Sequence, residues 1–226
     1  PGGNTNVVCR TLGIPDDVVD ATEHLLSLAD DFRPRKIDLG KINDRHFVFS
    51  CGAGIDATVV EQVDANPKWK RRAGPWFYSW VATKGYFRNY MRNPVQLELE
   101  IGDETHTGVT ALAQNSDPFT YFSKQPVRVC ENVAIDDGSL GLVLLKRANL
   151  LDMGAIVPRL LAQRLKAGEH NQVEAFEQVA QARIRSASTD DSGVVRPFPV
   201  QVDGDYIGTY EEITLEADPG ALTIVA

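Results

Sequence analysis

The sequence predicts an antiparallel β-sandwich decorated by a few helices. Short segments rich in β-branched and aliphatic residues recur along the chain, set apart by Asn-Asp and Asp-Gly turn signals. Val95, Leu97, Leu99 and Ile101 alternate with Gln96, Glu98 and Glu100, the period of a strand with one buried face. Few helical patterns lie between these segments, which disfavours a doubly wound parallel sheet. A chain of 226 residues needs one domain, or one domain with a short attached piece of another, to bury its core.

Taken in order, Val7 to Leu12 and Val18 to Ala29 space their apolar residues as two short helices, with Pro15 and Asp16 at the start of the second. Ile37–Leu39 and His46–Ser50 read as a hairpin around Asn43-Asp44. Gly52-Ala53-Gly54 ends that strand, and helical spacing follows over Ile55–Val63 and from Trp76 to about Arg92, closed by Asn93-Pro94. Beyond the strand at 95–101, further strands are expected at Thr107–Ala113, Val127–Cys130, Leu140–Leu145, Ala182–Ser188, Val200–Val202, Ile213–Ala217 and Leu222–Val225. A helix over Asn149–Lys166 and a short one over Asn171–Phe176 interrupt them, and Thr189–Gly193 is the expected flexible loop.

Composition narrows the function. Hydrophobic residues make up 43% and charged residues 24%, as in ordinary globular chains. The formal net charge of -8 argues against a nucleic-acid partner and confines any attraction to anionic membrane to a local patch. Such a patch is offered by Trp69-Lys70-Arg71-Arg72 beside Trp76, Phe77, Tyr78 and Trp80, which reads either as a membrane-surface contact or as an aromatic core face with a solvated basic end. No stretch approaches the roughly 20 apolar residues of a membrane span. Cys9, Cys51 and Cys130 stand far apart, as in a reducing cytoplasm, and His24, His46, His106 and His170 suggest no metal cluster. The chain opens on Pro1-Gly2-Gly3 without methionine, so an upstream portion is expected.

Three stretches carry a resemblance: Pro1-Gly2-Gly3-Asn4-Thr5-Asn6 running to Leu12-Gly13-Ile14-Pro15, then Ala134-Ile135-Asp136-Asp137-Gly138-Ser139-Leu140, then Val202-Asp203-Gly204-Asp205. Ile37-Asp38-Leu39-Gly40 through Asn43, and Gly52-Ala53-Gly54-Ile55-Asp56-Ala57, fall between them in matching order. Together they resemble the bacterial diacylglycerol kinase and sphingosine kinase-like lipid kinases over nearly the whole chain. The family's Gly-Gly-Asp-Gly-Thr nucleotide loop does not occur in this sequence. Val7 stands where the family has aspartate, and Asp205 where it has glutamate.

The resemblance implies a short helical remnant of an α/β nucleotide-binding domain at residues 1–32 and a substrate-binding β-sandwich at 33–226. It implies transfer of the ATP γ-phosphate to a lipid hydroxyl such as that of diacylglycerol, with Mg2+, at a cytoplasmic and transiently membrane-associated enzyme; a homodimer is left open. Asp203 becomes the expected proton acceptor, with Asp205 beside it, although Asp-Gly between alternating apolar residues is equally a hairpin turn. Ala134, Asp137 and Ser139 become the expected oxygen ligands of a magnesium ion, against the plainer reading of a turn. Gly3, Thr5 and Asn6 precede a helix whose free N–H groups suit phosphate. Gly54 and Asp56 fall at a lipid site or at a strand-to-helix turn and its cap. Two other readings stay open: a soluble-substrate kinase of the NAD kinase type, and a non-catalytic lipid-binding or regulatory domain.

Overall fold

In a computed structural model of the chain, the described residues are 1–2, 6–29, 32–54, 94–122, 125–147 and 170–225. The helices expected over 55–63, 76–92 and 149–166 lie outside them, as do the basic and aromatic segment 69–80 and residues Gly3, Thr5 and Asp56.

Two helices come first, α1 (Val7–Thr11) and α2 (Val18–Ser27). The cap of α2 is Asp17, one residue past the expected start, because its carboxylate accepts hydrogen bonds from Val19 N at 2.8 Å and Asp20 N at 3.3 Å. No residue of α2 is buried, and Val18, Val19, Leu25 and Leu26 are exposed.

The strands follow in chain order. The first seven are β1 (Arg35–Ile42), β2 (Arg45–Phe47), β3 (Ser50–Gly54), β4 (Leu97–Ile101), β5 (Glu104–Gly108), β6 (Thr110–Gln114) and β7 (Thr120–Phe122). Then come β8 (Gln125–Val127), β9 (Leu140–Leu145), β10 (Val173–Val179), β11 (Gln181–Ser186), β12 (Phe198–Val202), β13 (Asp205–Tyr210) and β14 (Glu212–Ile224). One sheet runs β2-β1-β14-β11-β4-β5 and the other β10-β9-β6-β3-β12-β13, with β7-β8 a separate ribbon. The named pairings are antiparallel, as the sequence predicts.

The alternation in β4 does what its pattern requires. Leu97 and Leu99 are buried beneath the facing sheet, and Glu98 and Glu100 face outward to meet Arg185 of β11 at 2.6 and 3.1 Å. The main core joins both sheets through residues such as Phe47, Leu144, Ile184, Phe198 and Leu215. Strand β9 is apolar throughout because both its faces are covered: Val143 packs in a second small core with Cys130, Val133 and Val173. Gly40 has no side chain because the Phe47 ring occupies that space.

Several expected strands are divided or reassigned. Thr107–Ala113 is not one strand: the chain turns at Val109, whose N–H bonds to Leu145 O at 2.8 Å, and passes from one sheet to the other. His46–Ser50 is likewise split, because β2 and β3 belong to opposite sheets. Ile213–Ala217 and Leu222–Val225 are one strand, since Asp218-Pro219-Gly220 fits a register shift in the β1–β14 ladder. Asn171–Phe176 is not helical. Its Glu, Ala and Gln favour a helix, but from Val173 the backbone pairs with β9, and tertiary pairing overrides propensity. The β8 strand ends at Val127, where a strand was expected to begin. Thr189–Gly193 is a bonded turn, with Asp190 Oδ1 accepting from Ser192 N at 2.8 Å and Val194 N at 3.0 Å.

Candidate active site

Residues that the sequence scatters over 182 positions meet at one end of the sandwich. Ladder pairs Ser50↔Gln114 and Gln114↔Gly141, with Cys51↔Val202, bring the start of β3, the end of β6, the start of β9 and the end of β12 to a common edge.

Asp203 and Gly204 form the two-residue hairpin between β12 and β13. Both have positive φ, 50° and 89°, the geometry of a type I′ turn. The hairpin expected from Asp-Gly is present, and it displays the Asp203 carboxylate toward the β2–β3 connection. Oδ2 accepts from Val48 N at 2.8 Å; Oδ1 accepts from Phe49 N at 2.9 Å and Ser50 N at 3.1 Å. Asp203 N in turn donates to Ser50 O at 2.8 Å. Residues 48 and 49 leave the ladder because their N–H groups are turned onto this carboxylate, which explains the split between β2 and β3. With a single protein donor, Oδ2 keeps room to accept another proton. Gln201 Oε1 fastens the same turn through Gly204 N at 2.9 Å. Asp205 is exposed, and its carboxylate has no hydrogen-bond partner among the described residues.

Asn115, fully buried, holds the other side of the connection. Its Nδ2 donates to Val48 O at 3.1 Å and to Asp38 O at 2.8 Å, and its N–H donates to Phe49 O at 2.9 Å. Asp38 is 4% exposed. A buried carboxylate is tolerated only when hydrogen-bonded, and this one accepts from Gly138 N at 2.6 Å and Gly220 N at 2.7 Å. It therefore clips the 134–139 loop to the bulge of β14. Gln114 Nε2 adds bonds to Cys130 O at 2.8 Å and Ser116 O at 3.2 Å.

Ala134, Asp137 and Ser139 lie together, as the resemblance implies, but they bond to one another. Asp137 Oδ2 accepts from Ala134 N at 2.7 Å, and Oδ1 accepts from Ser139 N at 2.9 Å and Ser139 Oγ at 2.8 Å. Oxygen donors suit a hard cation, and the one side-chain carboxylate of the set, though bonded to three hydrogens of its own loop, keeps acceptor capacity on Oδ2, which takes a single donor. The loop's own hydrogen bonds close the turn and leave Oδ2 of Asp137 with room for one more partner. Among the described residues no group of three His, Cys, Asp or Glu could hold a metal.

The remaining expected site residues do not converge here. Gly54 pairs with Thr110 at the far end of β3, about 14 Å from Ser50 at roughly 3.4 Å per residue. Its φ of 91° and the Val109 carbonyl crowding its Cβ position account for the glycine structurally. Asn6 sits at the head of α1, whose five residues lend little dipole to an anion. Asn6 and Arg10 instead bind Asp16; the Arg10 guanidinium above all holds that carboxyl below its ordinary range.

Asp38, Asn115, Gln114 and Gln201 carry the geometry without having been singled out as site residues. The signal for Asp38 was a charged residue inside the apolar run Ile37–Leu39; for Asn115 only its place at a strand end hinted at a role. Cys130 is not a nucleophile, because burial, aided by nearby carboxylates, pushes its thiol up to about 12.

The YegS C-terminal NAD kinase beta sandwich-like domain model matches residues 50–226. A diacylglycerol kinase of Staphylococcus epidermidis (strain ATCC 12228) is 27% identical over 210 residues, covering 92% of this chain and 59% of that protein. The diacylglycerol kinase of Staphylococcus aureus (strain JH9) is 28% identical over 211 residues with the same coverages. The chain thus spans about three fifths of the length of the curated relatives it matches. A crystal structure of a diacylglycerol kinase from Bacillus anthracis str. Sterne shares the fold, with TM-score 0.62, 16% identity, and coverage of 100% of this chain and 64% of that one.

Proposed function

Because the chain belongs to the YegS C-terminal NAD kinase beta sandwich-like family, we propose that it is the substrate side of a kinase that moves the γ-phosphate of ATP to the hydroxyl of diacylglycerol or a related lipid. The observation that carries the reading is the Asp203 carboxylate, oriented by three backbone N–H groups with Oδ2 left able to accept a proton. The names of the curated relatives support the kinase class.

In this reading Asp203 Oδ2 takes the proton of the lipid hydroxyl as its oxygen bonds to the γ-phosphorus, and the bond from that phosphorus to the β-phosphate bridging oxygen breaks to release ADP. Asn115 and Asp38 hold the 48–50 backbone that aims the carboxylate. Mg2+, if carried in with the ATP, would offset phosphate charge. Residues 1–32 belong to the nucleotide side and 33–226 to the substrate side, a division supported by the exposed apolar residues of α2 and the start of sheet structure at Arg35. The enzyme is cytoplasmic and meets the membrane peripherally; among the described residues no helix is long and apolar enough to cross one.

The test is Asp203→Asn in the intact kinase, assayed with labelled ATP and diacylglycerol vesicles at a temperature where the variant is folded. Loss of a positioned base should lower kcat by roughly 10²–10⁴-fold, with KM for ATP little changed. Near-normal turnover, or transfer to NAD instead of lipid, would overturn the reading.

A further inference from the structure

At the end of the sandwich away from Asp203, where β5 hands over to β6, a polar cleft of about 700 Å³ opens between the outer strands of the two sheets. Gly54 and Thr110 mark this end, so the cleft and the Asp203 edge are separated by the length of β3. Its charged residues are His106 of β5, Lys146 and Arg147 just past β9, and Glu174 of β10. In a chain of net charge -8, this local grouping of cations runs against the general trend.

The contacts fix which charges are compensated. Lys146 Nζ lies 2.7 Å from Glu174 Oε1, and His106 Nδ1 lies 3.3 Å from Glu174 Oε2. The His106 ring rests on Phe176, with centroids 4.6 Å apart, and its Nε2 is 3.3 Å from Glu104 without the alignment of a hydrogen bond. Glu174 is thus matched by Lys146, and the Lys146 ammonium, with three hydrogens, retains two to give. Arg147 is exposed and makes no ion pair among the described residues. Strand β5, at the edge of its sheet among the described residues, also turns backbone groups outward.

We propose that this cleft binds a phosphate monoester. Arg147 supplies the planar fork that meets two phosphate oxygens at once, and Lys146 adds a point charge beside it. The volume exceeds that of a bare phosphate, so the organic part of the ester lies against Gln172 and the edge of β5. The site is independent of the Asp203 chemistry, and either can fail without the other.

Such a ligand has two sources, a soluble metabolite or the headgroup of an anionic lipid, and the experiment separates them. The chain is titrated by calorimetry with glycerol 3-phosphate, and separately tested for flotation with phosphatidylcholine vesicles with and without phosphatidate. A soluble ester should bind with Kd of about 1 mM, and Arg147→Ala should weaken it about tenfold. Glu174→Gln should strengthen binding, because it removes the one lining carboxylate among the described residues and frees Lys146. Flotation that needs both phosphatidate and Arg147 identifies the headgroup; calorimetric binding without flotation identifies the soluble ester. No saturable binding in either assay, or binding indifferent to Arg147 and Glu174, overturns the proposal. Thermal melting of both variants checks that they fold.

Discussion

Asp203→Asn is the substitution most often made to test a proton acceptor, and here it carries a structural cost of its own. Asparagine suits a type I′ turn as well as aspartate does, so the hairpin backbone is not at risk. The hydrogen bonds are. Three N–H donors converge on the two carboxylate oxygens, whereas an amide has one acceptor oxygen. If that oxygen faces Phe49 N and Ser50 N, the NH2 meets Val48 N head to head; the opposite orientation loses two bonds. At least one donor in a half-buried setting loses its partner in either case, at about 1–3 kcal/mol. For a domain of this size that corresponds to a fall in Tm of roughly 2–12 °C. The assay is thermal and urea unfolding of the chain, with amide hydrogen exchange at Val48, Phe49 and Ser50 read by NMR. Those amides should exchange faster in the variant while the β4 and β11 amides are unchanged. If the variant melts with the wild type and the amides keep their protection, the carboxylate is not held by the 48–50 backbone, and the orientation argument for Asp203 collapses.

Two more outcomes follow from neighbouring groups. Asp137→Ala removes three hydrogen bonds from an exposed loop and should destabilise by about 1–2 kcal/mol, equally in Mg2+ and in EDTA; a larger loss in Mg2+ would show that an ion shares this turn after all. Burial raises the Asp117 carboxyl above its ordinary range, outweighing Arg128 at 2.8 Å. The folded state then holds a proton more readily than the unfolded state, so the wild type loses stability as pH climbs from about 4, the unfolded value. Asp117→Asn has no such dependence. Its urea midpoint relative to wild type should therefore improve between pH 4 and pH 7, and a decline over that interval would contradict the sign.

What could be read from the sequence is what local rules govern. The β4 alternation, the continuous apolar run of β9, and the turns at Asn43-Asp44 and Asp203-Gly204 each depend on residues within a few positions of one another. The corner at Val109 does not: nothing in Thr107–Ala113 announces that Leu145 will take the Val109 N–H. The β10 segment misleads for a related reason, since its own residues prefer a helix and only β9 makes it a strand. The site follows the same division. Asp203 could be named from a turn motif, but its donors lie more than 150 positions earlier, and Asp38 serves two glycines 100 and 182 residues away. Gly54 and Asp203 were grouped as neighbours in function, and the length of β3 separates them.

The pairing of β1 with β14, Arg35↔Ile224 to Ile42↔Leu215, ties the first strand of the sandwich to the last. On a ribosome, β1 must wait for about 170 further residues before its neighbour β14 exists, and Asp38 cannot receive Gly220 until then. The Asp203 edge is therefore assembled only once β14 has been made. Contacts this distant in sequence also slow folding, which leaves β1 with an open edge meanwhile and makes it the segment that a chaperone, or a second nascent copy, would meet first.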